Sequence, residues 1–202
     1  MAVRIRLAND NDADAVAAIY RPIVDQTAIS FETVAPDRYE MARRMVETLR
    51  HYPWLVCERD GHVVGYAYAA RHRVRPAYQW SVDTSVYIDR HYRRSGVGRG
   101  LYLSLFGILA AQGYFNAYAG IALPNDSSVA LHESMGFEPL GVYRRVGYKL
   151  GEWRDVGWWQ LNMREHEATP TDPLALMEVQ RHPTWQALLT RGESVIRAAF
   201  VA

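Results

Sequence analysis

A turn that combines glycine with arginine is the part of the sequence with the clearest chemical potential. The segment Arg93-Arg94-Ser95-Gly96-Val97-Gly98, followed by Arg99, lies between a strand-like run that ends at Ile88 and a helix-like run over residues 101–112. Free backbone amides and the positive end of the helix dipole meet at such a turn, and glycine lets a ligand approach the main chain. The arginines add cationic donors. This pattern predicts a site for a pyrophosphate group.

The turn does not match two other phosphate-binding loops. The nucleoside-triphosphatase loop ends in Gly-Lys-Ser or Gly-Lys-Thr, which does not follow Gly98. The dinucleotide fingerprint needs a third glycine where Leu101 stands, and an acidic residue about twenty positions later, whereas the next strand ends without one. A glycine-rich surface turn with solvated arginines is the alternative interpretation of this segment taken by itself.

Composition excludes several classes of function. The chain has 202 residues and a formal net charge of +1, so it has no overall attraction for nucleic acid or anionic membranes. Its longest apolar stretch, residues 101–111, is too short to span a bilayer, and its alternating start lacks the apolar core of a signal peptide. The single Cys57 excludes an intrachain disulfide and indicates a reducing, cytoplasmic location. The seven histidines are scattered without a zinc-binding spacing, so no metal is expected.

Hydrophobic periodicity predicts the element order β-α-α-β-β-β-α-β-α-β-β. The run from Trp80 to Ile88 alternates apolar and polar residues, which is typical of a strand. Gly136 is a signal for the end of the last helix in this order. The expected fold is an α/β mixed sheet with helices on both faces. We assign residues 1–165 to one domain and residues 166–202 to a linker and a C-terminal helical extension, which we expect to serve packing or an oligomer surface rather than chemistry.

This order, with Arg-x-x-Gly-x-Gly between the fourth strand and the third helix, resembles the GNAT superfamily of acyl-CoA N-acyltransferases. Three stretches resemble one branch, the phosphinothricin (methionine sulfoximine) N-acetyltransferases: residues 77–87, Leu123-Pro124-Asn125-Asp126 and residues 146–157. The resemblance covers about residues 3–163. It implies the GNAT fold, acetyl-CoA as co-substrate and a homodimer. The implied reaction is acetyl transfer to the α-amino group of a small amino-acid-like substrate, by direct attack in a ternary complex.

The resemblance also implies which residues hold the cofactor. Amides of the turn would bind the pyrophosphate, and the edge of the fourth strand would pair with the pantetheine arm like an added strand. Asn125 would add a hydrogen bond to pantetheine, although it can also be a plain turn residue after Pro124. The implied cofactor-binding residues are Val86, Tyr87, Ile88, Arg93, Arg94, Ser95, Gly96, Val97, Gly98, Arg99 and Asn125.

Asp83 is the first candidate for catalysis. An α-amino group is largely protonated at neutral pH, so acetyl transfer to it needs a base. Asp83 lies on the polar face of the fourth strand, shortly before the residues assigned to pantetheine. Relatives usually carry glutamate there, and the shorter aspartate favours proton transfer through a water. The alternative is an ion pair with an arginine of residues 71–75.

His132 is the second catalytic candidate. It stands four residues before Gly136, where the wider superfamily often has a tyrosine that protonates the leaving thiolate. An imidazole titrates near neutral pH and can give or take a proton there. The alternative is a hydrogen-bonded helix residue without a catalytic role.

Two arginines and three aromatic residues match substrate-contacting positions of the relatives. Of Arg73 and Arg75, we expect Arg75 to grip the substrate carboxylate with two parallel hydrogen bonds, unless it is only a solvated loop charge. Phe31, Tyr68 and Tyr78 would surround the substrate, with a core position as the alternative for each, favoured for Tyr68.

Two other functions stay open. A GNAT enzyme could act on another amine, namely a protein N-terminus, a lysine or a small amine, which for proteins requires an open groove instead of a closed pocket. A non-catalytic CoA-binding sensor would keep the turn and dispense with the base.

Overall fold

The computed structural model describes residues 2–197. A seven-stranded mixed sheet has the strand order β1-β2-β3-β4-β5-β7-β6. The strands are β1 Val3–Leu7, β2 Trp54–Arg59, β3 His62–Arg71, β4 Ser81–Ile88, β5 Asn116–Leu123, β6 Glu138–Lys149 and β7 Glu152–Asn162. The helices are α1 Ala13–Gln26, α2 Arg38–Leu49, α3 Val97–Gln112, α4 Asp126–Ser134, α5 Leu176–Gln180 and α6 Trp185–Thr190.

The sheet opens between β4 and β5. These two parallel strands pair only at their beginnings, Ser81–Asp83 with Asn116–Tyr118, whereas β5 pairs with β7 along its whole length. From Thr84 onward, therefore, one edge of β4 no longer has a strand beside it. This opening gives a ligand access to strand backbone in the middle of the sheet.

Two layers of helices cover the sheet because its strands alternate apolar side chains between the faces. On one face α1 and α2 pack residues such as Ile19, Met41 and Met45 against Trp54 and Tyr66. On the other face the apolar helix α3 packs Leu101, Leu105 and Ile108 against Ala69 and Val82, together with α4.

The predicted element order is confirmed, with shifted boundaries. The third helix, predicted from Leu101, begins at Val97, which places the second glycine of the turn in its first turn. The sixth strand, predicted from Val142, begins at Glu138. No helix within residues 2–197 combines the length and the apolar composition needed to cross a membrane.

The C-terminal extension forms the two short helices α5 and α6 and a final 3₁₀ turn, Glu193–Val195. Leu176, Leu189 and Ile196 belong to the same core cluster as α3. The extension is thus packed onto the face of the sheet that carries α3. Residues 198–202 of the predicted extension lie outside the described residues.

Candidate functional site

The glycine-arginine turn presents backbone amides at the start of α3. Arg94 and Gly96 both have positive φ, 58° and 89°, and Gly96 is the N-cap of the helix. The first helical hydrogen bond runs from Gly100 N to Gly96 O (2.8 Å), so the amides of Val97, Gly98 and Arg99 precede the hydrogen-bonded ladder. A left-handed residue followed by the right-handed start of a helix, as at Gly96 and Val97, makes a concave surface of amides that suits an anion. We call residues 93–98 the cradle.

A groove of about 1250 Å³ runs along the cradle. It is bounded by the end of β4, the cradle, α4, Ile23 and Ile29 at the end of α1 and the loop after it, and Arg197 of the extension. All the predicted cofactor-binding residues line it: Val86, Tyr87, Ile88, Arg93, Arg94, Ser95, Gly96, Val97, Gly98, Arg99 and Asn125. The structure therefore brings strand edge, cradle and Asn125 to one continuous surface.

The groove is strongly basic. Arg90, Arg93, Arg94, Arg99 and Arg197 line it, and no carboxylate occurs among the described residues of its wall. Such a concave surface of one charge sign concentrates an anionic ligand. Asn125 is the N-cap of α4, where its Oδ1 accepts a hydrogen bond from Ser128 N (3.3 Å), and it also lines the groove, so its hydrogen bond to pantetheine stays a prediction.

A second group of side chains surrounds Asp83, three residues before the groove on β4. The Asp83 Oδ1 lies 2.6 Å from His72 Nδ1. The His72 ring stacks on Tyr118 at a centroid distance of 4.2 Å and meets the rings of Tyr78 and Trp158 edge-on. We call His72, Asp83, Tyr118 and Trp158 the aspartate cluster.

Strand register assembles this cluster. Asp83 pairs with Ala70 of β3 on one side and with Tyr118 of β5 on the other, at the last rung before the sheet opens. Gly120 pairs with Trp158 of β7, and a Cβ at Gly120 would come within 3.3 Å of the indole, so glycine lets the ring lie flat across β5. His72 follows the end of β3 and folds back over Tyr118.

The electrostatics of Asp83 suit a base. Burial raises the pKa of this carboxyl group above its ordinary value, while the hydrogen bond with His72 opposes the rise. The Asp83 side chain is 35% exposed and that of His72 only 11%, so the carboxylate is the accessible end of the pair. The expected alternative, an ion pair with an arginine, is not what the structure contains, since the partner is His72.

The two candidate arginines differ in position. Arg73 donates from Nη1 to the carbonyl of His72 (2.8 Å), and its guanidinium lies 5.7 Å from the centroid of the Trp158 ring. Arg75 is exposed and precedes the 3₁₀ turn Pro76–Tyr78. Arg73 is therefore the arginine that contacts the aspartate cluster, whereas the sequence favoured Arg75.

The predicted aromatic residues spread over a wider area. Tyr78 meets the His72 ring edge-on. Phe31, in the loop between α1 and α2, is 38% exposed, and its ring lies against Gly147 of β6. Tyr68 stacks on Trp54 at 4.2 Å between the sheet and α2, which fits the expected core position.

His132 is a buried residue with both ring nitrogens engaged. Its Nδ1 donates to the carbonyl of Ser128 (2.7 Å), so Nε2 accepts from the Tyr102 hydroxyl (2.9 Å). Burial lowers the pKa of His132, which keeps the ring neutral. Its neighbours Ser128 and Leu131 line the groove, whereas its own ring faces Tyr102 and Phe137.

Sequence reasoning missed three members of the aspartate cluster: His72, Tyr118 and Trp158. His72 follows β3, Tyr118 lies on β5 and Trp158 lies on β7. A polar or aromatic residue on the less apolar face of a strand is only a weak sequence signal for a functional site. The register that brings them to Asp83 joins residues far apart in the chain. Within residues 2–197 no group of three or more His, Cys, Asp or Glu side chains is arranged to hold a metal ion.

Comparison with known proteins gives a consistent result. Residues 5–158 match the GNAT acetyltransferase domain. The chain is 40% identical over 158 residues to a phosphinothricin N-acetyltransferase of Streptomyces viridochromogenes, covering 78% of this chain and 86% of that one. It is 34% identical to an L-methionine sulfoximine/L-methionine sulfone acetyltransferase of Salmonella typhimurium, covering 81% and 96%.

A solved structure agrees with these sequence matches. The crystal structure of a GNAT superfamily phosphinothricin acetyltransferase from Sinorhizobium meliloti in complex with AcCoA superposes with a TM-score of 0.80 and 35% identity, covering 85% of this chain and 94% of that one. The domain match ends at residue 158, so the C-terminal extension lies outside it.

Proposed function

Because this chain belongs to the GNAT acetyltransferase family, we propose that it transfers an acetyl group from acetyl-CoA to the α-amino group of a small amino-acid-like substrate of the phosphinothricin or methionine sulfoximine class. The observation that carries the proposal is the position of a half-buried, hydrogen-bonded carboxylate, Asp83, on the strand whose end lines the basic groove. The strand that carries the candidate base thus ends at the groove that contains the cradle.

The groove fits acetyl-CoA by its donors and its shape. The cradle amides and the arginines suit the pyrophosphate, and the edge of β4 beyond Thr84 offers unpaired backbone to the amides of the pantetheine arm. The shape of the cradle requires glycine at position 96, since the residue has φ 89° and a Cβ there would collide with the carbonyl of Val195 in the extension. When bound, acetyl-CoA supplies the acetyl group as an activated thioester.

The aspartate cluster fits the acceptor amine. Asp83 would remove a proton from the ammonium form, directly or through a water, and its raised pKa brings it closer to the pH at which a base is effective. Trp158, Tyr78 and Tyr118 would form apolar walls, while Arg73 would bind the substrate carboxylate. An amino-acid substrate carries an ammonium group and a carboxylate, which Asp83 and Arg73, respectively, would bind.

In the proposed reaction the neutral amine attacks the thioester carbonyl directly within a ternary complex. A backbone amide of the β4 edge near Tyr87 or Ile88 would stabilise the negative charge that develops on the carbonyl oxygen. His132 would exchange a proton with the leaving thiolate only after its buried ring leaves its hydrogen bonds to Ser128 and Tyr102.

Thiol release from acetyl-CoA tests the proposal. We expect release with phosphinothricin, methionine sulfoximine or an ordinary amino acid, and much less with peptides or lysine side chains. The protein's own Cys57 does not disturb the assay, because burial raises the pKa of its thiol to about 12. Preference for peptides would favour a protein acetylase, and CoA binding without turnover of any amine would favour a sensor.

A second copy of the chain is the proposed partner. β6 forms an edge of the sheet and exposes Leu140, Val142, Val146 and Tyr148. An edge strand with this much exposed apolar surface is usually covered by another chain. We expect the wild type to sediment as a dimer and Val146→Asp to sediment as a monomer; a monomeric wild type would contradict the proposal.

The buried, unpaired Cys57 suits the proposed cytoplasmic location.

A further inference from the structure

Helix α3 carries a face of small residues against which the C-terminal extension packs. Gly96, Gly100, Ser104 and Gly107 follow one another at helical spacing. A Cβ at Gly100 would lie 2.6 Å from the Gly192 carbonyl oxygen, and one at Gly107 would lie 3.3 Å from the Leu188 side chain. The helix and the extension are therefore in backbone-to-backbone contact, which only small residues permit.

Hydrogen bonds fix the end of the extension in place. The Gly192 amide donates to Ser104 Oγ (3.1 Å), and the Ile5 amide donates to the Glu193 carboxylate (2.7 Å). The Arg197 amide donates to the carbonyl of Ser95 (2.9 Å), which is a cradle residue. The extension thus connects α3, β1 and the cradle, and it ends at the groove.

Arg197 lines the basic groove although it lies far beyond the family domain, which ends at residue 158. We propose that Arg197 is a further binding residue for a phosphate group of coenzyme A. This inference rests on the proposed use of acetyl-CoA.

The surroundings of Arg197 favour an anionic ligand over an internal ion pair. The acidic residue next to it in the extension, Glu193, is engaged by the Ile5 amide. The other charged groups of the groove wall are Arg90, Arg93, Arg94 and Arg99. Arginines collected along one wall repel one another, and a phosphate that binds between them relieves this repulsion while accepting forked hydrogen bonds. The guanidinium of Arg197 would bind either the pyrophosphate or the phosphate on the ribose.

Titration calorimetry with CoA on the full chain tests the inference. We expect Arg197→Ala to weaken CoA binding by about tenfold, the typical worth of a charge-assisted hydrogen bond. Arg197→Lys should lie between the wild type and Arg197→Ala, because it keeps the charge and loses the fork. Arg181→Ala is the matched control: Arg181 is an exposed arginine of the same extension, in contact with Met177 and outside the groove wall.

Dephospho-CoA, which lacks the ribose phosphate, distinguishes the two phosphate sources. If Arg197→Ala weakens binding of CoA but not of dephospho-CoA, the ribose phosphate is the ligand; an equal loss for both assigns the pyrophosphate. CoA affinity of Arg197→Ala equal to that of Arg181→Ala would overturn the inference. A wild type that does not bind CoA would instead refute the proposed function.

A second variant tests whether the extension itself places Arg197. A Cβ at Gly192 would collide with the Gly100 carbonyl, although the Gly192 backbone, at φ −86° and ψ −8°, accepts alanine. Gly192→Ala should therefore displace the extension and weaken CoA binding at least as much as Arg197→Ala. Adding Arg197→Ala to it should then cause no further loss, whereas additive losses would show that the extension does not position this arginine.

Discussion

The groove and the aspartate cluster share strand β4, but the chain builds them from different parts. The groove comes mainly from one continuous stretch, residues 86–99, and its predicted ligand contacts are backbone amides and arginines. The cluster combines His72, Asp83, Tyr118 and Trp158 from four places in the chain, and its predicted contacts are side chains. A main-chain site depends on local conformation, whereas a side-chain site depends on strand register.

On the proposed function, the groove would bind the cofactor and the cluster would bind the amine, so the two halves of the reaction would depend on different kinds of structure. A cradle of backbone amides would bind coenzyme A whatever the amine is. The cluster, with aspartate hydrogen-bonded to histidine, is where the identity of the amine would be decided. A substitution in the groove should therefore leave the function of the aspartate cluster intact, and a substitution in the cluster should leave the function of the groove intact.

Replacing Asp83 should have the largest effect. Asp83→Asn keeps the size of the side chain and removes the base, so kcat/KM should fall by about 10²- to 10⁴-fold. CoA affinity measured by calorimetry should stay at the wild-type value, since Asp83 lies outside the groove wall. A parallel loss of CoA binding would show that the two sites are not separable.

Gly96→Ala should damage the groove and leave the aspartate cluster intact. Gly96 has φ 89°, and its Cβ would collide with the Val195 carbonyl, so the cradle must deform. We expect CoA affinity to fall by about ten- to hundredfold, in line with the strain of a left-handed non-glycine residue. Turnover at saturating acetyl-CoA should change much less. Gly61→Ala is the matched control, because Gly61 also has positive φ (82°) but has open space around it and lies outside the groove wall.

The same contrast explains what could be predicted from the sequence. The cradle was predictable because Gly96, Gly98 and the arginines are contiguous and precede a helix. The strand edge, Val86–Ile88, followed from its place just before that turn. Helix α3 began four residues earlier than its apolar pattern suggested, because Gly98, Arg99 and Gly100 take helical conformation but separate the buried Val97 from the apolar run that begins at Leu101.

The cluster was predictable only in part. Asp83 stood out as an acid on a strand, but its partner His72 is brought to it by the pairing of Ala70 with Asp83, which no local pattern encodes. Arg73 and Arg75 are two residues apart in a loop, and periodicity does not determine which one turns toward Trp158. The end of the extension reaches the cradle through the small face of α3, whose partner the apolar pattern of that helix does not reveal.

Arg73→Ala and Arg75→Ala test the acceptor half more finely. Arg73 contacts the cluster through Trp158 and the His72 carbonyl, so its loss should raise KM for an amino-acid substrate by about tenfold. Arg75→Ala should raise it less, because Arg75 lies beside the 3₁₀ turn, whereas Arg73, which is also exposed, contacts His72 and Trp158. KM for acetyl-CoA should be the same in both variants. A larger effect from Arg75 would restore the assignment favoured by the sequence.

His72→Phe should produce the smallest and most specific change, a shift of the pH profile. Phenylalanine preserves stacking on Tyr118 but removes the hydrogen bond that lowers the pKa of Asp83, so that pKa should rise further. A base works only above its pKa, so the acid limb of kcat/KM should move to higher pH, with activity recovering at alkaline pH. His72→Asn, which can still offer an N–H near the Nδ1 position, should move the limb back. A loss that is uniform across pH would mean that His72 only packs against the cluster and does not tune its carboxylate.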